Sequence, residues 1–165
     1  MEHVQHVESV SFTIANALGL NTELTKAIAT GHDLGHAPFG HEGEMILSEI
    51  MCEYLGKAPG KLFWHEKNGL YFADCIETLP DSENNPRNLN LTYAVRDGII
   101  CHCGELDDAC LRPREDFLDL YAIDKPGMCN AVTWEGCVVK ISDKIAYLGR
   151  DIEDAKSLGF INDDD

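Results

Sequence analysis

The chain has 165 residues, 44% of them apolar and 25% charged, which is enough for one hydrophobic core without disulfide staples. No apolar run approaches the ~18 to 20 residues of a membrane-spanning helix, so a helical membrane protein is excluded. The net charge of −16 repels a phosphate backbone, and nucleic acid is not an expected partner.

Apolar residues recur at helical spacing almost throughout. Stops fall at 19–21, 37–40, 55–60, 79–86 and 125–127, where Gly, Pro and Asn gather. The spacing predicts helices over 2–18, 22–31, 41–55, 65–79 and 89–104, a short one near 114–121, and a long one over 131–157. No alternating strand pattern stands out, so the expected fold class is all-α. On the first helix Val7, Val10 and Ile14 form an apolar stripe centred close to His3, with His6 roughly 60° to the side. Asn21 or Thr22 supplies the acceptor that caps the second helix. On the last helix Ile141, Ile145, Leu148 and Ile152 read as the core stripe. Asp143, Tyr147 and Asp151 follow at i, i+4 and i+8 on a largely opposite face, which Val139 and Ala146 partly enclose. Residues 161–165 end in three aspartates and read as an acidic tail behind a single domain of residues 1–160.

Seven cysteines share no spacing, and the N-terminus carries neither a basic nor an apolar leader segment. Reduced thiols in a cytoplasmic protein are the expected state. Cys101-His102-Cys103 lacks the second ligand pair of a structural zinc site, and it reads as thiols packed along one helix.

The densest chemistry runs from His32 to Glu44, where three histidines and three acids fall within thirteen residues. Imidazole nitrogens with carboxylate oxygens suit a divalent transition metal. An adjacent His-Asp pair at a helix end aims both side chains into one space. Glycines at 31, 35, 40 and 43 permit sharp turns and close backbone approach. A polar helix end followed by a Gly/Pro loop explains the glycines and leaves the histidine density unexplained.

These residues carry a resemblance. Over residues 2 to about 157 the chain resembles the HD-domain metal-dependent phosphohydrolases, whose mark is a His, then an adjacent His-Asp, then a distant Asp. Within them it is similar to the dGTPase-like deoxynucleoside triphosphate triphosphohydrolases. The matching segments are Glu2 to Val7, Ala27 to Glu44, Trp64-His65-Glu66, Ser142 to Tyr147 and Asp151 to Asp154. The resemblance implies an HD-domain helical bundle in which His3, His32, Asp33 and Asp143 bind one divalent metal (Mn, Fe, Ni, Zn or Mg). It implies that His41 and Glu44 form a catalytic pair with His65 as a further active-site histidine. It also implies that His36 and Lys144 touch phosphate, and that Tyr147 and Asp151 recognise deoxyribose and its 3′-hydroxyl.

The implied activity is hydrolysis of a deoxynucleoside triphosphate to deoxynucleoside and triphosphate, by a homo-oligomer. The family's phosphate-gripping arginine, three residues before the first metal histidine, has no counterpart here. Its upstream base-selecting residues and later helices are also lacking, so the chain is expected to cover only the core of the catalytic domain. Two alternatives stand beside this reading. One is an HD phosphohydrolase acting on another small phosphorylated substrate, such as a nucleoside monophosphate. The other is an inactive metal- or nucleotide-binding fragment.

Overall fold

A computed structural model describes residues 2–57, 62–104 and 110–161. Six α-helices dominate: α1 (Glu2–Leu18), α2 (Thr22–Gly31), α3 (Gly40–Tyr54), α4 (His65–Tyr71), α5 (Tyr93–Ile100) and α6 (Trp134–Ser157). The fold is all-α apart from a small hairpin. Capping follows the sequence: the Asn21 side chain accepts from the Glu23 and Leu24 amides at 3.1 Å each. Thr92 and Thr133 cap α5 and α6 in the same way.

Helix α1 packs on α2 and α6, α2 also packs on α5 and α6, and α4 packs on α5. Val7, Ile28, Ala29, Val139 and Ala146 form the core where α1, α2 and α6 meet. A second core of Trp64, Leu70, Ile100, Cys101, Leu120, Ile123 and Ala131 joins α4 and α5 to the long 110–133 loop. Glycines set how closely α2 and α5 approach. A methyl on Gly98 would lie 2.6 Å from Ile28 Cδ1, and one on Gly31 would lie 2.9 Å from Ile99 Cδ1. Their C-terminal ends are therefore drawn together. The half-buried Arg114 pairs with the fully buried Asp97, and it also donates to the Asn130 carbonyl and the Tyr93 hydroxyl. That pair ties the long loop to α5.

Four expectations are corrected. The helix expected over 65–79 stops at Tyr71 and continues as one wider π-helical turn, Phe72–Ile76. It then gives way to the strand β1 (Thr78–Pro80), antiparallel to β2 (Pro86–Asn88). Pro80 biases Leu79 to extended backbone, and Asp81 accepts from the amides of Glu83 and Asn85 to form the turn. Both strands are exposed along their whole length, so they carry no alternating apolar signal. The helix expected over 89–104 covers only Tyr93–Ile100. Residues 114–121 hold no α-helix, only a 3₁₀ turn at Leu120–Ala122.

The face of α6 is also inverted. Ile141, Ile145, Leu148 and Ile152 are exposed, whereas Val139, Ser142, Asp143 and Ala146 are buried. The small Ser142 and Ala146 let α1 and α2 approach, and the inward face carries Asp143. Residues 162–165 of the expected acidic tail lie outside the described residues. Among the described residues no helix is long and apolar enough to cross a membrane, and all seven cysteines are free thiols.

Candidate metal centre and active site

Helix α2 ends at Gly31, and His32 takes the capping position. Its Nδ1 lies 2.6 Å from the Ala29 carbonyl, which fixes the ring and leaves Nε2 pointing away from the backbone. The side chain is fully buried, and Nε2 has no hydrogen-bond partner among the described residues. An orphaned imidazole nitrogen in that position is costly unless a cation takes its lone pair.

The groups facing it are the right ones. His3 Nε2, from α1, is 2.9 Å from Asp143 Oδ1 and 3.8 Å from Asp33 Oδ2. His32 Nε2 is 3.5 Å from Asp33 Oδ2 and 3.8 Å from Asp143 Oδ1. Three elements distant in sequence thus bring His3, His32, Asp33 and Asp143 to one point, and the donor set fits a divalent transition ion. His6, on the neighbouring face of α1, is exposed.

The two carboxyls titrate apart. Burial raises Asp33, but His32, His102, His36 and His65 outweigh it and hold that carboxyl below its usual range. Burial lifts Asp143, and the adjacent Asp33 charge adds to the lift against His32 and His3. Two close carboxylates resist joint ionisation, a strain that a cation between them relieves.

Beside this point stands a wall of histidines. His36 and His65 stack with ring centroids 4.7 Å apart, and His41 lies 5.8 Å from His36 and 5.9 Å from His65. Their nitrogens lie close enough to converge on one ligand. The buried Glu44 carboxylate accepts from His65 Nδ1 at 2.8 Å. The sequence reading gives Glu44 to His41 one turn earlier; here its Oε2 serves His65. His41 itself is exposed.

The loop reaches this wall because Gly35 lies flush on α4. A Cβ there would sit 2.1 Å from the Gly69 nitrogen and 2.2 Å from the His65 carbonyl oxygen, and Asn68 donates to the Gly35 carbonyl at 2.9 Å. On α6, Tyr147 follows Asp143 by one turn and sets its ring 4.5 Å from His3. Burial, with Asp33 and Asp143 nearby, pushes its hydroxyl up to about 12. Lys144 and Asp151 lie on the exposed side of the same helix.

Sequence reasoning missed His102. Rather than lining a helix with packed thiols, Cys101-His102-Cys103 lies beyond the end of α5, and its histidine is buried at the centre. His102 Nδ1 lies 2.7 Å from the Ile99 carbonyl. Its Nε2 is 3.9 Å from Asp33 Oδ1 and has no hydrogen-bond partner among the described residues. Burial and the neighbouring His32 push the imidazole down to about 3, so it is neutral. The legible signal was its position, a histidine just past the end of an apolar helix, as His32 is.

Every histidine except His6 therefore belongs to one chain of ring contacts. Centroids are 5.6 Å apart for His3–His32, 5.0 Å for His32–His102, 5.4 Å for His102–His65 and 4.7 Å for His65–His36, with His41 completing the chain.

Comparison with known proteins identifies a family. Residues 1–148 match the HD domain family. A deoxyguanosinetriphosphate triphosphohydrolase-like protein of Desulfatibacillum aliphaticivorans is 37% identical over 99% of this chain and 39% of its own length. Proteins with the same name from Caldanaerobacter subterraneus and Clostridium tetani are 38% and 35% identical, over 94% and 100% of this chain. The chain spans between 35% and 39% of the length of these relatives.

Proposed function

The chain belongs to the HD-domain family, and from that premise we propose that it is the catalytic core of a metal-dependent hydrolase of deoxynucleoside triphosphates. The observation that carries this reading is the convergence of His3, His32, Asp33 and Asp143 beside the His36–His41–His65 wall. The names of the relatives support the substrate class.

In this reading His3, His32, Asp33 and Asp143 hold a divalent ion, which when bound offsets phosphate charge and acidifies water near neutral pH. Water attacks the α-phosphorus, the bond to the 5′-oxygen breaks, and deoxynucleoside and triphosphate leave. His41, exposed at the open side of the wall, protonates the departing oxygen, a general-acid role that imidazole commonly fills. Glu44, bonded to His65, holds the wall in orientation. Lys144 with His36 or His65 grips the phosphates, on a protein whose net charge of −16 otherwise repels them. Tyr147 and Asp151 take the sugar, with the ring occupying the place of a 2′-hydroxyl and the carboxylate accepting from the 3′-hydroxyl.

The test is to incubate the protein with each deoxynucleoside triphosphate and several divalent metals and to identify the products by mass. Intact triphosphate is the expected product. Pyrophosphate or single phosphate places the attack at another phosphorus and overturns the assignment. The reading extends to self-association, because the exposed Ile141, Ile145, Leu148 and Ile152 form an apolar stripe on one helix. Strict monomer behaviour at high concentration contradicts that part.

A further inference from the structure

We infer that Cys101 and Cys129 form an oxidisable pair, a modification site at which a small-molecule disulfide of the glutathione class is exchanged for a bond between the two sulfurs, clamping the long loop to the end of α5. The two Sγ atoms are 3.5 Å apart although the residues lie 28 positions apart in the chain. Cys101 stands at the C-terminal cap of α5 and is 3% exposed, while Cys129 on the loop is half-buried. One sulfur is open to a small reagent, and the other waits behind it.

The contact is held from both sides. Cys101 belongs to the core of Trp64, Leu70 and Ile100, and Cys129 packs against that core. Arg114 Nη1 lies 3.7 Å from Cys101 Sγ and donates at 2.6 Å to the carbonyl of Asn130, next in the chain to Cys129. The Asn130 side chain donates in turn to the Arg112 carbonyl at 2.9 Å. The two thiols are unequal. The hydrogen bond from Cys101, with Arg114 adding to it against burial, pushes the Cys129 thiol down to about 7. The same bond, burial and Asp97 push the Cys101 thiol up. Cys129 is the readier thiolate near neutral pH, and the thiolate is the attacking species.

The exchange then runs in two steps. Cys129 Sγ attacks one sulfur of the reagent, the reagent's S–S bond breaks, and one small thiolate leaves a mixed disulfide on Cys129. Cys101 Sγ, its proton passing to solvent, attacks Cys129 Sγ and expels the second small thiolate. The two cysteines are oxidised by two electrons, and the reagent is reduced to two thiols. The new bond ties the loop to the residue that precedes His102. The inference does not depend on the hydrolase reading.

The test incubates the folded full chain with oxidised glutathione near neutral pH, blocks the remaining thiols with N-ethylmaleimide, digests without reductant and maps disulfides by mass with fragmentation. The wild type is expected to yield the Cys101 and Cys129 peptides joined, about 2 Da below their sum because two hydrogens are lost. Fragmentation should place the bond at Cys101 rather than Cys103, and at Cys129 rather than Cys137. The exposed Cys75 and Cys110 are expected to keep glutathione. Cys101→Ser is expected to accumulate glutathione on Cys129, and Cys129→Ser to leave Cys101 unmodified. Glutathione stranded on wild-type Cys129, an unmodified Cys129, or a bond from Cys101 to Cys103 overturns the inference. The same reaction in urea should lose the preference for Cys101–Cys129, and an equal yield there overturns the inference too. Should either variant fail to fold by circular dichroism, the wild-type map and its urea control decide alone.

Discussion

His32 and His102 occupy matching places in the molecule. Each follows an apolar helix, gives Nδ1 to the carbonyl three residues back and leaves Nε2 buried, with no hydrogen-bond partner among the described residues. Their rings meet edge to face at 5.0 Å. The surroundings differ: His32 is followed by Asp33 and a glycine-rich loop, while His102 is flanked by two thiols. One helix end can thus be built twice, and neighbouring side chains decide what the imidazole is for. The His32 end lies among carboxylates, and the His102 end lies between two thiols.

The largest expected effect tests whether proton transfer is separate from both helix ends. His41→Ala should lower turnover by about 10² to 10⁴ with metal content unchanged, as measured by steady-state kinetics beside metal analysis. Loss of metal would make His41 part of the ligand set and would break the distinction between buried ligands and exposed acid.

The next effect separates how the two ends are supported. The α5 end rests on the pairing of Arg114 with the buried Asp97, and leaving a buried charge without its partner costs about 3 to 5 kcal/mol. Urea unfolding of Arg114→Ala should show that loss. A cost below about 1 kcal/mol, typical of surface pairs, would show that the loop does not hold His102.

Gly98→Ala probes the contact that brings the two ends together. The added methyl meets Ile28, and overpacking of this kind costs about 1 to 3 kcal/mol. The variant should also bind metal at the His3–His32–Asp33 site more weakly, because α5 is pushed from α2. Unchanged stability and affinity would show that the glycine contact does not set the spacing.

The last effect is a slope spread over several pH units rather than a single loss. The folded metal-free protein holds His102 neutral down to about pH 3, against 6.5 for an unperturbed histidine. Between those values the unfolded chain takes up a proton that the folded chain refuses. Stability from this group is therefore complete above pH 6.5 and falls as the pH drops towards 3. Denaturation across that range should show the decline in the wild type and a shallower one in His102→Gln; equal slopes would show that His102 is protonated without penalty.

Much of this was legible in the sequence. Helices α1, α2 and α3 follow from apolar spacing, the Asn21 cap and the glycine stops, and the His32–Glu44 segment announces itself by histidine density. The α6 face was misread because four large aliphatics outweigh a face of Ser142, Asp143 and Ala146 in any apolar count, although the site requires that polar face inward. His102 was hidden because no acid stands beside it in the chain; its carboxylate, Asp33, arrives from another helix end. The hairpin at Thr78–Asn88 leaves no apolar alternation because neither strand covers a core.

If α1, the end of α2 and α6 jointly build one cation site, manganese titration of the wild type beside Asp143→Ala reads it out. The wild type is expected to bind manganese stoichiometrically and Asp143→Ala to bind none at the His3–His32–Asp33 site, with both proteins folded by circular dichroism. Full manganese occupancy in Asp143→Ala would contradict it.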